Sequence, residues 1–358
     1  MVGGAEAQLV RLAGRLVARG DEVRLVSLLP TEAYAQEMAE LGVPIIELRG
    51  GRVRSAAFIV QARKVLRDFR PDVVVSFLYQ ANVVARLAAK LAGVPVVISS
   101  IRSEFFGGRA RELMMRFTDR LATVTTTNST LARTSLTQRR IAPAKRLVVV
   151  PNGVDVSVFA RPSDVRARLR DELHVADDDF LWLAVGRLVP QKDVPTLLDA
   201  FAKHHAAHAH SRLVIAGDGA LHDELLAQLH ALGLEDVVTF AGVRPDVPDV
   251  MAAADAFVLS SAWEGLPNVV MEAMAAGLPV VSTRVGGVAE LVEDPATGAL
   301  VEPGDPSALA AAMNATVDLS ADERRARGQR GRDKIAQHFS NEAAGDQWLA
   351  LIASCQQS

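Results

Sequence analysis

The 358-residue sequence predicts an α/β protein of two doubly wound units in tandem. Two patterns along the chain predict it. Short β-branched runs alternate with longer amphipathic stretches of helical period, and the runs are apolar at nearly every position instead of every second one. Continuous apolar strands between helices are parallel strands buried on both faces. A third observation divides the chain. Residues 1–161 hold 24 Lys+Arg against 13 Asp+Glu, a net +11, whereas residues 162–358 hold 15 against 29, a net −14.

In the first half, strands are expected at Val23–Leu28, Val43–Leu48, Val73–Phe77, Val94–Ser99, Ala122–Thr127 and Leu147–Val150, with helices such as Glu6–Arg19 and Val53–Phe69 between them. The second half repeats the scheme. Its strands are Leu181–Val185, Arg212–Ala216, Val237–Ala241, Ala256–Ser260 and Pro279–Ser282. Its helices are Pro195–His205, Leu221–Leu232, Val247–Ala253, Val269–Ala275 and Ser307–Val317. Between the halves, Pro151–Pro162 reads as a linker, because two prolines and an Asn-Gly pair break regular structure. The expected units are residues 1–160 and 161–339, with a last helix over 340–358. The first helix follows Val2-Gly3-Gly4 almost at once, so the strand that a doubly wound unit places before such a glycine turn is expected to be missing, through either a truncated start or a sheet that lacks it.

Composition narrows the function. At 49% hydrophobic and 23% charged residues the chain can bury full cores. No apolar run reaches the length of a membrane-spanning helix. A lone cysteine, Cys355, excludes internal disulfides and cysteine-rich zinc modules and fits a reducing, cytoplasmic setting. No secretory signal is visible. The basic half suits an anionic partner, and no nucleic-acid-binding motif accompanies the charge, so nucleic acid is not expected. Arg102–Arg146 carries ten basic and three acidic residues interleaved with Phe105, Phe106, Met114, Met115 and Phe117. That pattern has two readings: an amphipathic helix with its apolar face in the core, or one resting on anionic lipid at the inner face of a membrane.

The chemistry concentrates after the strands of the second half. Trp263-Glu264-Gly265-Leu266-Pro267-Asn268-Val269-Val270-Met271-Glu272 follows one strand and opens a helix. Eight helical positions rise about 12 Å, enough for Glu264 and Glu272 to reach the two ends of an extended diphosphate ligand. Glu272 suits ribose hydroxyls and Glu264 hydroxyls at the other end, with helix-start amides between them. Solvated surface glutamates are the plainer alternative. Gly186-Arg187-Leu188-Val189-Pro190-Gln191-Lys192-Asp193 follows another strand, and Arg187 with Lys192 can neutralise a departing diphosphate without a metal. Gly217 and Gly219 in Ala216-Gly217-Asp218-Gly219, Gly242 and Arg244 in Ala241-Gly242-Val243-Arg244, and Gly286-Gly287 complete a rim of turns after strands. Gly242–Arg244 is placed to border a base. In the first half, Gly3 and Gly4 can approach a phosphate closely. Asp177-Asp178-Asp179 lies at the opposite sheet edge and reads as a solvated turn; His204, His205, His208 and His210 read as cations at a helix end. No metal site or cofactor is expected, and neither hydrolase nor zinc-peptidase motifs occur.

These motifs, in this order, resemble glycosyltransferase family 4, the retaining enzymes of the GT-B fold. Gly3-Gly4-Ala5-Glu6, Pro151-Asn152-Gly153-Val154-Asp155, Gly186-Arg187 with Gln191-Lys192, and Ala216-Gly217-Asp218-Gly219 carry the resemblance. So do the Glu264/Glu272 pair, Ala276-Gly277-Leu278-Pro279-Val280-Val281 and Glu302-Pro303-Gly304-Asp305. The resemblance implies two Rossmann-like domains facing across a cleft. It implies a nucleotide-sugar donor, UDP-sugar before GDP-sugar, in the acidic half. Arg187 and Lys192 would hold the diphosphate, and Glu272 the ribose. Glu264 with Gly265, Leu266, Pro267, Asn268 and Val269 would take the sugar, while Gly3 and Gly4 would approach the diphosphate. A glycan or lipid-linked acceptor would bind the basic half, and the last helix would cross back to it. Retention would follow from front-face attack, with the leaving phosphate oxygen taking the proton. Many relatives carry a histidine near the end of the fourth strand; here the segment reads Ile98-Ser99-Ser100-Ile101-Arg102-Ser103, which makes Arg102 a candidate for phosphate or acceptor. A nucleotide-sugar epimerase of the same fold, or a non-catalytic nucleotide-sugar-binding subunit, are the competing functions.

Overall fold

The computed structural model of the protein describes residues 4–29, 34–48, 56–102 and 106–357. It contains two compact units, residues 1–153 with 341–358, and residues 154–340. The division falls between Gly153 and Val154. The stretch read as a linker is not a free one: Val154 and Phe159 are buried in the core of the second unit.

The first unit runs α1 (Gly4–Arg19), β1 (Leu25–Ser27), α2 (Ala35–Glu40), β2 (Ile45–Glu47), α3 (Ala56–Phe69), β3 (Val73–Phe77), α4 (Tyr79–Ala92), β4 (Val96–Ile101), α5 (Arg109–Asp119), β5 (Val124–Thr127), α6 (Thr130–Gln138) and β6 (Leu147–Val149). Its strands form two separate parallel sheets, β1-β2 and β3-β4-β5-β6. The β4 strand, paired on both sides and covered on both faces, is buried at all six positions. One face packs on Leu12 of α1 and on Trp348 and Ile352 of α15 (Asn341–Gln356), with Phe77 and Trp348 rings 5.6 Å apart. On the other face, fully buried Arg86 pairs with Asp119, which also accepts from Arg146. Burial lowers the Arg86 pKa to about 10 despite that carboxylate.

The second unit continues with α7 (Ser163–Glu172), β7 (Phe180–Val185), α8 (Val194–Ala207), β8 (Ser211–Ala216), α9 (His222–Leu232), β9 (Val238–Gly242), α10 (Val247–Ala253) and β10 (Ala256–Leu259). It ends with α11 (Asn268–Ala275), β11 (Val280–Thr283), α12 (Val288–Leu291), β12 (Gly298–Val301), α13 (Pro306–Val317) and α14 (Ala321–His338). One parallel sheet of order β12-β11-β10-β7-β8-β9 lies between two apolar clusters. The edge strand β12 went unread in the sequence because its four residues carry no long apolar run.

Two readings of polar residues change. Asp179 is buried and accepts from the Arg212 guanidinium, so it is not a solvated turn residue. His204 is fully buried rather than a helix-end cation. Its ring meets Trp182 Nε1 at 3.1 Å, Ser211 Oγ at 2.9 Å and Asn314 Oδ1 at 2.6 Å, and burial pulls its pKa down to about 4.

Candidate functional site

The strand order of the second unit reverses at β7: the chain runs outward through β8 and β9 on one side and through β10, β11 and β12 on the other. In open parallel sheets the crevice at the carboxyl edge of such a switch point is where ligands bind. The two motif-bearing loops occupy that edge. The loop 186–193 follows β7 and the loop 260–267 follows β10.

They are locked together. Lys192 Nζ donates to Glu264 Oε1 at 2.6 Å, and both side chains are largely buried. Ser261 Oγ donates to the same oxygen at 2.8 Å, while Gln191 Nε2 donates to Glu264 Oε2 and to the Trp263 carbonyl, both at 3.1 Å. Ser260 Oγ donates to the Lys192 carbonyl, and the Ala262 amide to that of Gln191. Thr283, at the end of β11, donates to the Ser261 carbonyl. Glu264 therefore accepts from an ammonium, a hydroxyl and an amide, which fixes its rotamer. Ser261 and Gln191 were not singled out as site residues in the sequence. Their position directly after an apolar strand and directly before Lys192 was the available signal.

The flanking turns approach as closely as backbone allows. A Cβ on Gly217 would stand 1.9 Å from the Gly186 carbonyl oxygen, and one on Gly286 would stand 2.3 Å from that of Gly265. The Gly217 amide donates to Gly242 O, and the Gly287 amide to Gly265 O. Only glycine fits these positions.

Arg187 is exposed on this rim, with no side-chain hydrogen bond or ion pair among the described residues. Glu272 is half-buried in the second turn of α11. The helix begins only at Asn268, so the segment from Glu264 to Pro267 is loop and the helical rise expected between the two glutamates applies to half of it. Leu266 and Pro267 are buried; Gly265, Asn268 and Val269 are half-buried, and no side chain caps α11. Arg244 is already engaged: it pairs with Glu172 at 2.5 Å and Asp246 at 2.6 Å, which raises its pKa further. That leaves the backbone of Gly242 and Val243, not the guanidinium, to border a ligand.

In the first unit, Gly4 opens α1, and Gly3 lies outside the described residues. Arg102 follows β4 at the carboxyl edge of its sheet. It is 8% exposed and donates through Nη1 to Val150 O at 3.2 Å and Asn152 Oδ1 at 2.8 Å. Its guanidinium lies over the Phe77 and Trp348 rings, its Nε and Nη2 have no hydrogen-bond partner among the described residues, and burial lowers its pKa to about 9. Phe106, ahead of α5, and Met115 on it join the core, whereas Leu113, Met114 and Phe117 of α5 are exposed beside Arg109, Arg116 and Arg120.

Residues 165–334 match the family described as glycosyl transferases group 1, and residues 2–158 the one described as glycosyltransferase family 4. A D-inositol 3-phosphate glycosyltransferase from a Nocardioides species is 30% identical over 362 residues, 89% of this chain and 78% of that protein. An Escherichia coli enzyme named UDP-Gal:alpha-D-GlcNAc-diphosphoundecaprenol alpha-1,3-galactosyltransferase is 29% identical, over 76% of this chain and 72% of its own length. Among solved structures, Anabaena HepE in complex with UDP superposes with a TM-score of 0.85 at 26% identity, over 98% of this chain and 96% of that one.

Proposed function

The chain belongs to glycosyltransferase family 4, of GT-B fold, and from that membership we propose that it transfers a sugar from a UDP-sugar to a hydroxyl of an anionic cell-envelope acceptor, with retention. The carrying observation is the locked pair of loops at the switch point of the second unit, with Lys192, Glu264 and Arg187 on one sheet edge. Arg187 and Lys192 meet the charge that grows on the departing diphosphate. Glu264 and the backbone of residues 265–269 take the sugar, Glu272 the ribose, and the Gly242–Val243 backbone the base. The bond from the anomeric carbon to the diphosphate breaks as the acceptor oxygen bonds to the same face. The acceptor proton passes to the leaving phosphate oxygen, and UDP leaves.

A UDP donor is supported by HepE, solved with UDP, and by the UDP-galactose named for the E. coli relative. An anionic acceptor is supported by the basic first half and by the phosphate or diphosphate in the acceptors of both named relatives. Arg102, a buried cation at a sheet's carboxyl edge whose Nε and Nη2 have no partner among the described residues, is the residue we assign to the acceptor's charge. The exposed Leu113, Met114 and Phe117 among arginines suit peripheral contact with an anionic membrane, on its cytoplasmic side.

A thermal-shift panel of UDP- and GDP-sugars without divalent metal tests the donor, since native-state ligands raise the melting temperature. UDP-sugars are expected to respond; a response to GDP-sugars alone overturns the UDP assignment. Transfer to a polyprenyl-diphosphate-linked sugar, with the product anomer read by NMR, tests the rest. An inverted product excludes front-face attack, and donor turnover without acceptor favours an epimerase.

A further inference from the structure

Trp263 stands in the loop after β10, one residue before Glu264, and its side chain is 51% exposed. Among the described residues of the second unit it is the one Phe or Trp so exposed; the others are buried or half-buried. Its indole makes no hydrogen bond, ring contact or cation contact among the described residues. The ring is free, but the backbone that carries it is held. Gln191 Nε2 donates to the Trp263 carbonyl at 3.1 Å, and the Ala262 amide donates to the Gln191 carbonyl at 2.9 Å. On the other side Glu264 is fixed by Lys192, Ser261 and Gln191. A large, stiff apolar surface on a fixed backbone loses little entropy when a ligand covers it.

Its place on the sheet selects the ligand. The order β10-β7-β8-β9 puts three strand spacings, about 14 Å, between the strand that leads to Trp263 and the strand that leads to Gly242 and Val243, the backbone assigned to the base. A base at that end is not what the indole covers. Glu264, next in sequence, is assigned to sugar hydroxyls. A pyranose is polar around its rim of hydroxyls and apolar on a face of C–H bonds, whose partial positive charge suits the electron-rich face of an indole. We propose that Trp263 is a stacking platform for a pyranose ring, and so a positioning residue for transfer; this rests on the sugar transfer proposed above. The donor's sugar and a sugar of the acceptor offer the same ring face, and the test separates them.

The full chain has three tryptophans, and Trp182 and Trp348 are buried, so acrylamide quenching of indole fluorescence reads Trp263, with W263F as the blank. UDP, UDP-glucose and UDP-galactose are titrated first, then the methyl α-pyranosides of glucose, galactose and N-acetylglucosamine, with and without UDP. Sugar-bearing ligands are expected to bring quenching down toward that of W263F, and UDP alone is not. Protection by a UDP-sugar puts the donor's ring on the indole; protection by the pyranosides alone puts the acceptor's there. Equal protection by UDP and UDP-sugars with the pyranosides inert, or no protection by any of them, overturns the proposal. W263L, which keeps an apolar side chain without the ring, is expected to raise KM for the sugar concerned about tenfold with kcat and Tm little changed, while W263F stays near the parent. Parental KM in W263L overturns the platform and leaves the transferase reading standing. UDP-sugars that fail to bind the parent chain overturn the donor reading instead, and the pyranosides without UDP then decide the platform.

Discussion

Lys192 Nζ lies 2.6 Å from Glu264 Oε1, joining loops that follow two neighbouring strands of the second unit. The two residues are 72 positions apart in sequence and were read separately, one for a diphosphate and one for a sugar. Paired, each orients the other in a largely buried corner.

Replacing Lys192 tests this coupling. K192Q is expected to lower kcat/KM about 10²–10³-fold, as loss of a charge aimed at a transition-state oxyanion does. K192Q/E264Q is expected to cost less than the product of the two single losses, because each single change already leaves the other group without its partner. Strictly multiplicative effects in steady-state kinetics would show that the two act separately.

Glu272→Ala is expected to weaken UDP binding about tenfold, the scale of one charge-assisted hydrogen bond. Its melting temperature should stay near that of the parent, because Glu272 is only half-buried. Calorimetric titration checks both, and parental affinity removes Glu272 from the ribose site.

Gly217→Ala is expected to abolish donor binding and to cost more than about 3 kcal/mol, through strain at a positive φ and a clash with backbone that no rotamer relieves. A variant that binds UDP with parental affinity would mean that the turn around Gly217 and Gly186 does not shape the site.

Acid should destabilise the second unit through His204. Its pKa is about 4 when folded and near 6.5 when unfolded, so the unfolded chain binds a proton that the folded one refuses between those values. Stability is then complete above pH 6.5 and declines as pH falls toward 4, by up to about 3 kcal/mol. Urea melts across pH 4–7 are expected to show this slope in the parent and to show it flattened in His204→Gln.

The face of α5 that carries Leu113, Met114 and Phe117 should govern membrane contact. Phe117→Asp with Met114→Asp is expected to reduce binding to anionic vesicles at least tenfold without changing the fold, since both side chains are already exposed. Unchanged co-flotation would assign the contact elsewhere.

Much of the architecture was legible because parallel strands buried on both faces must be apolar at every position. Val73–Phe77 lies where its residues put it, and helix Val247–Ala253 matches at both ends. The β12 strand escaped because an edge strand needs no such run. Glycines at strand ends marked the turns, but their reason is visible only in three dimensions: Gly217 is glycine because the Gly186 carbonyl fills the space of its Cβ.

Two things were decided only by the tertiary structure. One is which polar groups meet. Arg244 turned to Glu172 and Asp246, Lys192 and Glu264 to each other, and Arg102 to Val150 and Asn152, because sheet order sets which loops are neighbours and sequence distance does not. The other is which apolar residues are covered: Phe106 and Met115 join a core whereas Leu113, Met114 and Phe117 stay exposed, since the packing of neighbouring elements decides burial and hydrophobicity alone does not.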